Sequence, residues 1–89
     1  MKNYEWKYVK SSPYHFYEIL TLSGDIRIIH VGDSLYQIYQ IDTSFSEFYH
    51  QLKLFGIVDG KEINESELEY YKNYIIKVLN KLDILKVFV

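Results

Sequence analysis

Three histidines, His15, His30 and His50, are the side chains of this chain best suited to moving protons or holding a metal near neutral pH. Nucleophilic catalysis would set one of them beside an activated Ser, Thr or Cys. The chain has no cysteine, and no nucleophile elbow or oxyanion-hole motif surrounds its serines. Ser44 and Ser66 fall in the first turns of two predicted helices, where a cap and a surface position account for them. For zinc, the histidines lack an i, i+4 pair on a helix and have no CxxC support. His30 lies within a predicted strand, which suits a half-buried core or interface role. The acidic run "DGKEINESELE" invites a calcium reading. Asp59, Glu62, Asn64, Glu65 and Glu67 do not fall on the alternating positions of a calcium loop, however, and helix capping uses most of them. Glu67 and Glu69, two apart on a helix, point away from each other and make no acid/base pair. Gly24, Gly32, Gly56 and Gly60 stand singly at turns, with no phosphate-cradling loop. These residues imply no enzyme, no cofactor and no metal.

The elements around them divide into strands first and helices second. "YHFYEILTL", Tyr14 to Leu22, is a strand candidate, and "SGD" after it signals a turn. "DIRIIHV" follows, with Ile26, Ile28 and His30 alternating against Arg27, Ile29 and Val31. After a second turn at Gly32 and Asp33 comes "DSLYQIYQID". Here Leu35, Gln37, Tyr39 and Ile41 face one side and Tyr36, Ile38 and Gln40 the other, so neither face is clearly polar. Short connections make the three an antiparallel meander. In "TSFSEFYHQLKLFG", Ser44 and Glu47 have capping-box spacing, Phe45, Phe48, Tyr49, Leu52 and Phe55 recur at helical spacing, and Gly56 is a left-handed terminator. A second helix starts at Asn64 and Glu67, again a capping box, with Ile63 and Leu68 placed as a hydrophobic staple. Leu68, Tyr71, Ile75, Val78, Leu79 and Leu82 form its apolar stripe, and Glu65, Glu67 and Glu69 followed by Lys72, Lys77 and Lys81 complement its dipole. The tail "ILKVFV" docks on the core as a last helical turn or a short strand. The expected fold is therefore α+β, a three-stranded antiparallel sheet followed by helices, winged-helix-like. It comprises an N-terminal extended arm over residues 1–13, ended by Pro13, and one domain over 14–89.

Composition narrows the class of function. With 89 residues, 48% hydrophobic and 25% charged, the chain suits one small globular core. Ten tyrosines and five phenylalanines supply rings with polar tips, suited to cores that reach the surface and to partner contacts. A net charge of −2 supplies no positive field for nucleic acid. The second helix also starts with Glu65, Glu67 and Glu69, which would repel phosphate if it served as a recognition helix, and Lys72, Lys77, Lys81 and Lys86 read as a solvated face. The absence of cysteine, of a signal-type apolar segment and of a membrane-length run points to the cytoplasm.

Two stretches carry a resemblance to a known family: "SLYQIYQIDTSFSEFYHQL", a strand running through a polar joint into a helix, and "INESELEYYKNYIIKVLNKLDIL", a capped helix with an apolar tail. Over about Tyr14 to Val89 the pattern resembles the RiPP recognition elements, or PqqD-like domains, of ribosomal peptide natural-product and bacteriocin biosynthesis. With only "GIVDGKEI" between the helices, it is similar to their shortened microcin-type peptide-clamp form. The resemblance implies a non-catalytic module in which the leader segment of a precursor peptide adds as a strand beside the third strand, against the last helix, and is presented to a modifying enzyme. Mapped onto this chain, the peptide-binding residues would be Leu35, Tyr36, Ile38, Tyr39 and Ile41 on the strand and Tyr71, Ile75, Val78 and Leu79 on the helix. Backbone pairing would give affinity and side-chain pockets choice. The alternatives are a small regulatory or immunity-type interaction protein, homodimeric through the same edge, and a winged-helix DNA-binding protein.

Overall fold

The computed structural model describes residues 4–11, 13–22, 24–41 and 46–87, leaving aside the side chains of 46, 47 and 84–87. Five strands, β1 (Lys7–Ser11), β2 (Tyr14–Thr21), β3 (Gly24–His30), β4 (Leu35–Ile41) and β5 (Lys61–Asn64), form one antiparallel sheet in sequential order. Helix α1 (Ser46–Leu54) lies between β4 and β5, and a 3₁₀ turn (Glu65–Glu67) leads into α2 (Leu68–Val87). This overturns the expected three-stranded, winged-helix-like sheet with its helices afterwards. The fold is α+β, but the sheet has five strands, and α1 is enclosed between two of them. The two extra strands come from stretches with little apolar alternation. Lys7–Ser11, within the expected arm, half-buries only Val9, and Lys61–Asn64 buries only Ile63. Backbone pairing to a neighbour, rather than side-chain pattern, makes them strands.

Residues opposite each other in an antiparallel ladder share a face, so the register assigns the whole sheet. Ile19 pairs with Ile26, Ile28 with Ile38, and Tyr36 with Ile63. All of these are buried, and with Phe48 and Leu52 of α1, Ile57, and Leu68, Ile75, Val78, Leu79 and Leu82 of α2 they form the core. The undecided strand β4 thus turns Tyr36, Ile38 and Gln40 to the helix and Leu35, Gln37, Tyr39 and Ile41 outward. On the outer face the charges alternate in sign. Lys7, Glu18 and Arg27 stand in one row across three strands. Arg27 Nε lies 3.4 Å from the Glu18 carboxylate, and its guanidinium carbon lies 4.6 Å over the Phe16 ring.

Local chemistry closes the elements as expected in two places. At the end of α1, Gly56 N–H donates to the Lys53 carbonyl and Ile57 N–H to the Leu52 carbonyl, each at 3.0 Å, with Gly56 at φ 82°. This is the Schellman arrangement, and its apolar partners Leu52 and Ile57 are both buried. Before α2, the Asn64 N–H donates to Glu67 Oε1 at 3.0 Å, and the staple residues Ile63 and Leu68 lie in the core. The Ser44 and Glu47 cap falls outside the described residues. Between the helices, Asp59 Oδ1 accepts from the Gln40 N–H at 2.7 Å, and Gln40 Nε2 donates to the Ile57 carbonyl at 3.1 Å. The far end of β4 is thereby capped where β5 stops pairing with it.

The N-terminal segment is strapped along α2. Trp6 Nε1 donates to the Lys72 carbonyl at 2.9 Å, and the Tyr4 hydroxyl donates to Asp83 Oδ2 at 2.6 Å. Lys72 is not the solvated lysine expected from the sequence. Its ammonium lies 4.3 Å over the Tyr17 ring and its side chain is 17% exposed.

Two outcomes follow. Ile38→Ala should lower the unfolding free energy by about 2–5 kcal/mol, and Leu35→Ala, on the other side of the same strand, by clearly less, both measured by urea unfolding. Burial, then the hydrogen bond and charge of Asp83, raise the Tyr4 pKa above the ordinary tyrosine value. The fold therefore favours the neutral phenol: its contribution is complete below a pH of about 10 and is lost as pH rises above that toward the folded value. Alkaline titration should change the emission of Trp6, the sole tryptophan, and Tyr4→Phe should remove that transition.

Candidate functional site

The register places the expected peptide-binding residues in three different settings. Tyr36 and Ile38 are core residues, as are Ile75, Val78 and Leu79, each no more than 8% exposed. Leu35, Tyr39 and Ile41 lie half-buried on the outer face, where the Tyr39 hydroxyl donates to Gln37 Oε1 at 2.7 Å. Tyr71 alone is half-buried on α2 at the margin of the core. The strand edge expected to receive a peptide is occupied, because Leu35 to Ile38 of β4 pair with Lys61 to Asn64 of β5. Among the described residues, the sheet's edge on that side is β5.

A group of rings on α2 is linked to this strand through Lys61. Tyr70, Tyr71 and Tyr74, at i, i+1 and i+4 of α2, lie with Tyr70 and Tyr74 stacked at 6.1 Å and 7° and Tyr71 edge-on to each, at 5.3 and 6.3 Å. Tyr74 is anchored through its hydroxyl, which donates to the Phe55 carbonyl at 2.5 Å. Lys61, the first residue of β5, holds its ammonium 5.6 Å from the Tyr71 ring centre, and Lys81 lies at the same distance from Phe55. Tyr70 remains 65% exposed. The margin thus combines a strand edge that has no neighbour among the described residues with tyrosines that have apolar faces and polar tips. Such a margin can pair with an extended backbone and contact its alternate side chains. The stretch "EYYKNY" carries the signal for this cluster, but Tyr70 and Tyr74 lie off the apolar stripe and its periodicity passes over them.

One row of the register, ending at Ile63 of β5, gathers two of the three histidines. His15 and His30 are opposite each other on β2 and β3, and His30 is opposite Tyr36 on β4. The Tyr8 hydroxyl and His15 Nδ1 are hydrogen-bonded at 2.8 Å, and the His30 ring stacks on Tyr36 at 4.8 Å. Burial first, then the charge of Glu65 and the neighbouring Tyr17 and Tyr8, raise the Tyr36 pKa. Among the described residues no group of three or more His, Cys, Asp or Glu is disposed to hold a metal ion.

Comparison with family models, curated proteins and solved structures finds no match to this chain. Among the described residues, no helix is long and apolar enough to cross a membrane.

The anchored and the exposed tyrosine should respond differently to substitution. Tyr74→Phe removes one partly buried hydrogen bond and should cost about 1 kcal/mol. Tyr70→Ala should change stability by no more than about 0.5 kcal/mol, so that its ring is free for contacts outside the fold. Thermal and urea unfolding of the two variants check both values.

Proposed function

We propose that this chain is a cytoplasmic, non-catalytic peptide-binding module that captures the leader segment of a precursor peptide as an added strand and presents it to a modifying enzyme. The single observation that supports this reading most is the β5 edge, unpaired among the described residues and joined through Lys61 to the Tyr70, Tyr71 and Tyr74 cluster. Because β5 already covers β4, the added strand is assigned to β5. Its helix-facing side chains would meet the tyrosines, and its backbone would pair with Lys61 to Asn64. Unpaired backbone groups give an affinity that depends little on sequence, and ring pockets supply selectivity. The oligopeptide reading also agrees with the absence of a basic field, since net charge is −2.

The test is to look for a short precursor-peptide gene beside this one and to titrate isotope-labelled protein with the synthetic leader segment it encodes; a neighbourhood without such a gene would count against the reading. Amide shifts should concentrate on Lys61–Asn64 and Tyr70–Tyr74. Tyr71→Ala, checked for folding in parallel, should weaken binding about tenfold, or about 1.4 kcal/mol. A saturating titration that leaves these amides unmoved, or an unchanged affinity in folded Tyr71→Ala, would sink the proposal.

A further inference from the structure

The lysines around the tyrosine cluster lack counter-charges. Tyr70, Tyr74, Lys77 and Lys81 stand at i, i+4, i+7 and i+11 of α2, which is one stripe of a helix. Two contacts fix its direction: the Tyr74 hydroxyl donates to the Phe55 carbonyl, and the Lys81 ammonium lies 5.6 Å over the Phe55 ring. Lys61 reaches the same rings from β5 through Tyr71. Among the described residues, no carboxylate forms an ion pair with Lys61, Lys77 or Lys81. The nearby acids are engaged elsewhere. Asp59 accepts from the Gln40 N–H, Glu67 from the Asn64 N–H and Asp83 from the Tyr4 hydroxyl. Glu69 pairs with Lys72, and Glu62 accepts from Gln37 Nε2 at 3.3 Å. A chain with a net charge of −2 thus gathers three ammonium groups without anionic partners around one set of rings.

The register of β5 fixes what a strand laid against it would meet. Lys61 is opposite Ile38 and Ile63 opposite Tyr36, so both point to the helix side, whereas Glu62, opposite Gln37, points outward. Side chains directly opposite each other in a ladder share a face. The residue opposite Lys61 therefore meets an ammonium held on the Tyr71 ring, and the one opposite Ile63 an apolar neighbour. The residue between those two faces the Glu62 carboxylate.

We infer that the partner of this edge is an acidic extended peptide, in which an Asp or Glu stands two residues from an apolar residue with a non-acidic residue between them. This rests on the strand-addition reading above and names the chemistry of the segment that is added. The acid pairs with Lys61, the apolar residue lies beside Ile63, and further acids of the segment are drawn to Lys77 and Lys81. Lys61 and Lys81 each gain a counter-charge next to a ring, where partial loss of water strengthens the attraction. Single-stranded nucleic acid also uses lysines and ring platforms. Glu62 on the outer side of β5 would repel its phosphates, however, and the strand's free N–H and C=O groups would find no ladder partner in it. A peptide backbone satisfies both.

The experiment titrates the isotope-labelled full chain with synthetic peptides at low salt: a repeat of Glu-Thr-Val-Thr, and the same repeat with Gln or Lys in place of Glu. The Glu peptide should bind about tenfold tighter than the Gln peptide, with amide shifts on Lys61–Asn64 and on Tyr70, Tyr74, Lys77 and Lys81, and the Lys peptide should bind weakest. Lys61→Gln combined with Lys81→Gln should bring the Glu peptide down to the affinity of the Gln peptide. Raised salt should do the same to the unaltered protein, which keeps the test decisive if the variant folds poorly. A Glu-Glu-Val-Thr repeat, which sets an acid against Glu62, should bind less tightly than Glu-Thr-Val-Thr, and tighter binding overturns the pattern. Equal affinity for the Glu, Gln and Lys peptides overturns the acid preference and leaves strand addition standing. So does a Glu peptide that fails to bind while a leader segment moves the β5 amides. Silence of those amides toward every peptide overturns both readings. A dT oligonucleotide that binds the same amides more tightly than the Glu peptide overturns the choice of partner.

Discussion

The contact between one face of the sheet and the apolar stripe of α2 is the constraint on which the other features depend. Ile19, Ile26, Ile28, Ile38 and Ile63 present a flat, β-branched surface drawn from four strands, and Ile75, Val78, Leu79 and Leu82 close over it. With Phe48 and Leu52 of α1 and Ile57 in the same core, the helical residues close one buried cluster, so every strand must commit its alternate residues to that side. A slip of one residue would send the whole set to solvent. The strap of Trp6 and Tyr4, the cap on β4 from Asp59 and the stacking of His30 on Tyr36 all take their positions from this register.

That dependence explains which parts of the structure were legible in the amino-acid sequence. β2, β3 and β4 announce themselves through ring and β-branched residues between turn signals, and the Asn64–Glu67 cap and Gly56 terminator mark helix ends by local chemistry that needs no tertiary context. β1 and β5 do not announce themselves, because "KYVKS" and "KEIN" each bring only one apolar residue to the sheet, Val9 and Ile63. They are strands because a neighbour offers a ladder. Adding them turns β4 from an edge into an interior strand. The core face of β4 was unreadable for a related reason. Leu35, Tyr39 and Ile41 are as apolar as Tyr36 and Ile38, and only the position of α2 separates them.

The candidate site was partly visible for the same cause. Tyr71 could be read from the helical stripe, whereas Ile75, Val78 and Leu79 on the same stripe are filled from below by the sheet and have no surface to offer. Tyr70 and Tyr74 stand beside the stripe, and their significance comes from the loop after α1, whose Phe55 carbonyl receives the Tyr74 hydroxyl. In a strand-then-helix reading that loop is only a connector. In the structure it also docks against β4 through Asp59 and Ile57.

Placing α1 between β4 and β5 has a consequence for how the chain emerges during synthesis. β1 to β4 form from local hairpins and can assemble as soon as they leave the ribosome, but β4 then carries a bare edge of alternating Tyr, Gln and Ile. Nothing covers that edge until α1, the loop and Lys61–Asn64 have been translated, an interval of about one to a few seconds at ordinary elongation rates. α2, which buries the isoleucine face, arrives later still. The nascent chain therefore passes through a stage in which an apolar face and a pairing-competent edge are exposed together. Codon pacing or chaperone contact over residues 42–87 would act on the yield of folded protein without touching its final stability.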